Sequence, residues 1–166
     1  IVVNDTCESS VPGVYAVGDV NGGPQFTYVS LDDFRIVFGT LTGNGQYTLK
    51  DRKNIPYTTF LTPPLSRVGL TEEDAINQGY TIKTKEMLVA TMPRAHVNDY
   101  LKGAFKIVVD AENDLILGAT LYSQGAEELI NLIKMAMDNN IPYTYFKNQI
   151  FTHPTMAENL NDLCNF

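Results

Sequence analysis

The stretch "IFTHPTMAENLNDL", Ile150 to Leu163, sets an imidazole, His153, ahead of a carboxylate, Glu158, one to two helical turns on. Imidazole exchanges protons close to neutrality, and a carboxylate bound to one ring nitrogen fixes the tautomer and frees the other nitrogen for a reaction partner. That is general acid–base chemistry. Pro154 reads as the first position of a helix, where its missing N–H has no intrahelical partner anyway. The same residues also fit a plain helix entrance, with His153 as cap and Glu158 favouring the positive end. A second constellation lies near the N-terminus, where Gly18 and Asp19 end the apolar run "VYAVGDV" at a tight turn. Glycine there lets backbone approach a ligand, and a carboxylate accepts from sugar-like hydroxyls. Phe26 and Thr27 begin the next helix, and Thr27 also reads as a simple N-cap.

Other reactive side chains are isolated. Cys7 and Cys164 are too far apart to form a CxxC or CxxxxC pair, and Cys164 fits an amphipathic helix as a small hydrophobe as well as it fits a substrate thiol. His96 has no partner at metal-ligand spacing and reads as a surface residue on a loop or strand edge, so no metal site is expected. Arg94, Glu127 and Glu128 read as solvated charges, and Met135 and Met137 as core or interface filler.

The chain of 166 residues is 44% hydrophobic, enough for a real core, with a formal charge of -7. An acidic chain with no Lys/Arg-rich run has nothing to neutralise phosphates, which excludes nucleic acid and anionic membrane as partners. No apolar run approaches the roughly 20 residues of a membrane span, and "IVVNDTCESS" lacks a signal peptide's layout, so a reducing, cytoplasmic setting is expected. Beginning at Ile1 inside a β-like run suggests a chain cut from something longer.

These residues need elements to hold them. "VYAVGDV" reads as a short strand, and the pattern of Val29, Phe34, Ile36 and Val37 as a helix from Thr27 to a stop at Gly39. The Gly-, Asn- and charge-rich connection that follows places a boundary near Lys50, giving units 1–50 and 51–166. "YTTFLTPPLSRVGL" looks extended, and "TEEDAINQGY" opens with a capping-box-like Thr71 and Asp74. Stretches at 81–91, 104–110 and 115–122 read as an antiparallel meander. Leu129, Ile130, Leu132, Ile133, Ala136 and Met137 form the apolar face of the clearest helix. A short helix near "YTYFKN" and a last one after Pro154 complete an α+β unit, an antiparallel β-sheet flanked by helices.

"VPGVYAVGDV" resembles the second FAD-contacting motif of the pyridine nucleotide-disulfide oxidoreductases, the family of glutathione reductase, dihydrolipoamide dehydrogenase and mercuric reductase. "PPLSRVGLTEEDA", "MPRAHVNDYLKGAFKIVVD", "LILGATLYSQGAEELINLIKMAM" and "HPTMAENLNDL" are similar, in order, to landmarks of that family's C-terminal dimerisation domain. "GGPQFTYVS" and "MPRA" look like the mercuric-reductase-like bacterial branch, which includes reductases of hypothiocyanous acid and of reactive-chlorine resistance. The resemblance makes residues 1–50 the end of an FAD-binding domain and 51–166 a dimerisation domain. It implies FAD as cofactor, NAD(P)H as co-substrate, a homodimer, and a small disulfide or other sulfur substrate. It makes Asp19 the partner of the ribityl and pyrophosphate region, after Gly18, with Phe26 and Thr27 facing the flavin's pyrimidine side. It makes His153, oriented by Glu158, the acid–base group of thiol–disulfide exchange, and implies a cis His153–Pro154 peptide. Mercuric reductase has tyrosine at the position of His153 and a vicinal cysteine pair at its end, which argues against mercury reduction here. The GxGxxG and CxxxxC motifs of the family lie in N-terminal domains outside this chain, which alone should hold little flavin and not turn over. The alternatives are a free-standing dimerisation module without chemistry, or a mercuric-type metal-ion reductase.

Overall fold

The run "VYAVGDV" does not become a strand. In the computed structural model, which describes residues 1–166, Tyr15 makes one isolated antiparallel bridge, to Glu8, and Gly18–Asn21 then form a 3-10 turn. No other strand lies alongside within this unit to extend the bridge into a ladder, so apolar alternation alone does not produce a strand. Helix α1 covers Thr27–Thr42 and ends at Gly43, whose left-handed conformation lets its N–H reach the carbonyls of Gly39 and Thr40. Gly39, expected as the stop, lies inside the helix, where a Cβ would sit 3.2 Å from Gly45 Cα of the returning chain; the left-handed stop falls at Gly43 instead. The buried stripe of α1 is Val29, Asp33 and Ile36, at i, i+4 and i+7, whereas Phe34 is exposed.

The chain divides into Ile1–Lys53, just described, and Asn54–Phe166. The second unit is built on a five-stranded antiparallel sheet ordered β1-β2-β5-β4-β3, with β1 Tyr57–Thr59, β2 Leu65–Gly69, β3 Ile82–Leu88, β4 Ala104–Asp110 and β5 Ile116–Tyr122. The last three strands form the expected meander, in register at Lys85↔Ile107 and Ile107↔Ala119. Helix α2, Glu72–Asn77, carries a full capping box: Thr71 Oγ1 accepts from the Asp74 amide at 3.0 Å, and Asp74 Oδ2 accepts from the Thr71 amide at 3.2 Å.

After β3 the chain forms helix α3, Pro93–Val97, so His96 lies on a helix rather than on a loop or strand edge, and Arg94 lies on the same helix. Pro93 starts it, its φ fixed and its donor absent where none is needed. His96 Nε2 donates to the Ala90 carbonyl at 2.8 Å.

Helix α4, Ala126–Asp138, lays Leu129, Ile130, Ile133, Ala136 and Met137 on the sheet face that carries Val68, Phe105, Ile107 and Leu121. Each fully buried Leu, Ile, Val, Phe or Met side chain here contributes about 1.5–3 kcal/mol of transfer free energy. Met137 is core, but Met135 is exposed. Glu127 is half-buried, with Oε2 shielded and unpaired, because the first turn of α4 presses it toward the protein, so it is not simply a solvated charge. Helices α5, Tyr143–Asn148, and α6, Asn159–Leu163, close the unit. No helix is long and apolar enough to cross a membrane.

Candidate functional site

His153 sits on the segment between α5 and α6, and the His153–Pro154 peptide is cis. The helix does not begin at Pro154. It begins at Asn159, with Glu158 as the residue before it, because the intervening polar groups are committed to local turns. Thr155 Oγ1 donates to the Thr152 carbonyl at 2.8 Å and accepts from the Glu158 amide at 3.2 Å. His153 therefore caps no helix.

Two asparagines tie this segment to itself and to α5, and one lysine ties it to the sheet. Buried Asn159 donates to the carbonyls of Thr155 at 3.2 Å and Met156 at 3.1 Å. Asn161 Nδ2 donates to the carbonyls of Phe146 and Gln149, the latter at 3.1 Å. Lys85 on β3 donates to the carbonyls of Asp162 and Asn165, both at 2.6 Å, meeting the negative end of α6. Leu160, Leu163 and Cys164 pack beneath.

On this base His153 Nδ1 lies 3.0 Å from Glu158 Oε2 and 3.1 Å from Oε1. The carboxylate is only 16% exposed while the imidazole side chain is 72% exposed. The buried partner is thus the anchor, and the exposed ring is held by one nitrogen. Such a pair can give and take a proton at Nε2 without losing its orientation.

Neither cysteine is a ready nucleophile. Burial raises the Cys164 thiol to about 12, against a smaller lowering by Lys85. Burial first, then the charge of Asp33, raises Cys7 to about 11 despite Arg52. The thiolate is the reactive form, so neither is expected to take up an aromatic disulfide reagent in the folded protein at mildly alkaline pH. Both should label on denaturation; rapid native labelling of Cys164 would contradict its burial.

In the first unit, Gly18, Asp19, Phe26 and Thr27 lie on one short arc from the 3-10 turn to the start of α1. Gly18 has φ +72°, a conformation that favours glycine, and a Cβ there would also press on the Ser30 hydroxyl at 2.8 Å, which would have to rotate away. Asp19 is exposed. The residue capping α1 is Phe26, with no side-chain cap bond, so Thr27 is the first helical residue and not the N-cap. The first amides of a 16-residue helix have no intrahelical partner and face a positive helix end. An outward carboxylate that accepts from hydroxyls, beside helix amides that donate to carbonyl oxygens, fits one wall of a flavin site.

Beneath this arc lies a group that sequence reasoning missed. Asp33, fully buried on α1, accepts at Oδ2 from the Gly18 amide and from Asn21 Nδ2, both at 2.8 Å, and pairs at Oδ1 with Arg52. The signal was present, since Asp33 falls between Val29 and Ile36 on one helical stripe.

Residues 55–164 match the family described as "Pyridine nucleotide-disulphide oxidoreductase, dimerisation domain". The chain is 48% identical over 163 residues to the "Probable pyridine nucleotide-disulfide oxidoreductase RclA" of Escherichia coli, covering 98% of this chain and 37% of the relative. It is 36% identical over 160 residues to a mercuric reductase of Lysinibacillus sphaericus, covering 96% and 29%. The solved structure of the "HOCl-induced flavoprotein disulfide reductase RclA from Escherichia coli" superposes with a TM-score of 0.95 over 98% of this chain and 38% of that one. The chain spans roughly a third of the length of these relatives. With a five-stranded antiparallel sheet, its flanking helices and the His153–Glu158 segment all inside the matched region, the chain belongs to the pyridine nucleotide-disulfide oxidoreductase family through its dimerisation domain.

Proposed function

We propose that this chain is the C-terminal part of an FAD-dependent, NAD(P)H-using oxidoreductase of disulfide or related sulfur substrates that works as a homodimer. Residues 1–50 finish the flavin site, and 51–166 supply the dimer interface and the acid–base group. The observation that carries the reading is the exposed His153 ring held at Nδ1 by the half-buried Glu158 carboxylate.

FAD, when bound, supplies two-electron transfer between the nicotinamide and a redox disulfide. This chain's residues act at two places. Asp19 would accept hydrogen bonds from the cofactor's hydroxyls, and the start of α1 at Phe26 and Thr27 would hold its flavin end, where a positive helix end favours negative charge. His153 Nε2 moves protons for the sulfur chemistry, delivered across the dimer interface to the partner's disulfide. As a thiolate attacks a disulfide, one S–S bond forms, another breaks, and the electron pair leaves on the departing sulfur. That sulfur takes a proton from the imidazolium, and the ring later receives the proton of an incoming thiol. Glu158 keeps Nδ1 protonated and stabilises the imidazolium between the steps.

Glu158→Gln in the full-length protein tests the orienting role. The amide lacks the charge and is free to present either end to Nδ1, so turnover should fall about tenfold, less than removal of the base itself within the 10²–10⁴ scale of such catalysis. Unchanged turnover would remove Glu158 from the mechanism. The mercuric-type alternative finds no support in Cys164, which is fully buried.

A further inference from the structure

We propose that Asp33 is the positioning residue of the flavin-facing arc, setting the 3-10 turn that carries Asp19 at a fixed distance from the start of α1; this rests on reading Asp19 and Thr27 as flavin contacts. Asp33 belongs to α1 itself, two turns in from Thr27. Its Oδ2 takes the Gly18 amide and Asn21 Nδ2, one at each end of the turn Gly18–Asn21, both at 2.8 Å. One carboxylate thus grips both ends of the segment bearing Asp19 from the helix whose first turn forms the other half of the arc.

The grip is specific to the buried side. Asp33 is fully buried, whereas its neighbour Asp32 turns to the rim, where it accepts from Arg52 Nε at 2.7 Å and from the Tyr47 hydroxyl at 3.3 Å and touches nothing in the turn. Arg52 bridges the two, pairing with Asp33 Oδ1. Asn21 extends the grip, its Oδ1 accepting from the Gly23 amide at 3.0 Å. Ionised acceptors make the stronger hydrogen bonds, and a dry site strengthens them further, so a charged carboxylate here holds the turn where a neutral group would not. Contacts to a bound ligand demand this, because a shift of the order of 1 Å between two halves of a site forfeits both.

The test is titration of FAD into the apo full-length protein, with the visible circular dichroism of the bound flavin recorded alongside. Asp33→Asn should weaken FAD roughly tenfold or more, the scale of one lost charge-assisted hydrogen bond, and should alter the dichroism of what binds. Asp32→Asn, which also deprives Arg52 of a partner, should change neither. Wild-type affinity and spectrum in Asp33→Asn would overturn the proposal, as would equal weakening by Asp32→Asn, which would make the network a general prop. If Asp33→Asn does not fold, Asn21→Ala decides: weaker binding with an altered spectrum supports the grip, and wild-type behaviour refutes it. Asp19→Ala separates the two readings. Unchanged affinity there sinks the flavin contact and this proposal together, while weakening there with intact binding in Asp33→Asn sinks the positioning role alone.

Discussion

Full-length protein carrying His153→Gln should reduce its sulfur substrate about 10²- to 10⁴-fold more slowly than wild type, the range spanned by positioned acid–base groups. Gln matches the imidazole in polarity and approximate reach but moves no proton near neutrality. The departing sulfur must then leave as a bare thiolate, and the incoming thiol must ionise unaided. The residual rate should climb with pH, because bulk base then supplies the thiolate that His153 no longer generates. The fold should be unaffected, since the ring is exposed and its one bond is to Glu158. A thermal midpoint matching wild type, beside the lost turnover, would separate chemistry from structure. A rate loss that shrinks with falling pH would point to another group.

Arg52→Met should loosen the first unit strongly. The guanidinium, 11% exposed, pairs with Asp33, whose side chain is 1% exposed. Removing one partner leaves an uncompensated buried charge, which costs about 3–5 kcal/mol. Burial opposes the charge of Arg52, but its bonds to Asp33 and Asp32 more than offset this and raise its pKa. Native-state hydrogen exchange at the amides of α1 should accelerate by about two to four orders of magnitude. Adding Asp33→Asn should recover part of that loss, since contacting residues couple by about 0.5–3 kcal/mol. Exchange unchanged in the single variant would mean that water already reaches Asp33, against its burial.

What was legible in the sequence followed the strength of periodic signals. The stripe of Leu129, Ile130, Ile133, Ala136 and Met137 predicts α4 because one face must be apolar to lie on a sheet, and the structure puts it there. The strands β3, β4 and β5 were readable from alternation and the turn between the last two. Short elements escaped. Helix α3 is little more than one turn, too short for a period, and only Pro93 announced it. "VYAVGDV" has the composition of a strand, but strands exist only by pairing, which no local pattern records. The His153 segment was read as a helix entrance because His-Pro before a carboxylate looks like one. Thr155, Asn159 and Asn161 instead spend their side chains on backbone groups and delay the helix, a use of polar residues that spacing alone does not reveal. The pairing of His153 with Glu158 survived this change, since it needs proximity and not a helix. Asp33 is hard to read for the opposite reason: charged side chains ordinarily face water, and only its place between Val29 and Ile36 on one stripe marks it as buried.

Rapid mixing that splits the catalytic cycle of the full-length protein measures the role of His153 most directly. Flavin reduction by the nicotinamide is followed first, then reoxidation of the reduced protein by the disulfide substrate, in wild type and His153→Gln. The expected result is unchanged flavin reduction with reoxidation slowed about 10²-fold or more. Equal reoxidation rates in the two proteins would leave His153 and Glu158 as a surface ion pair with no part in the chemistry.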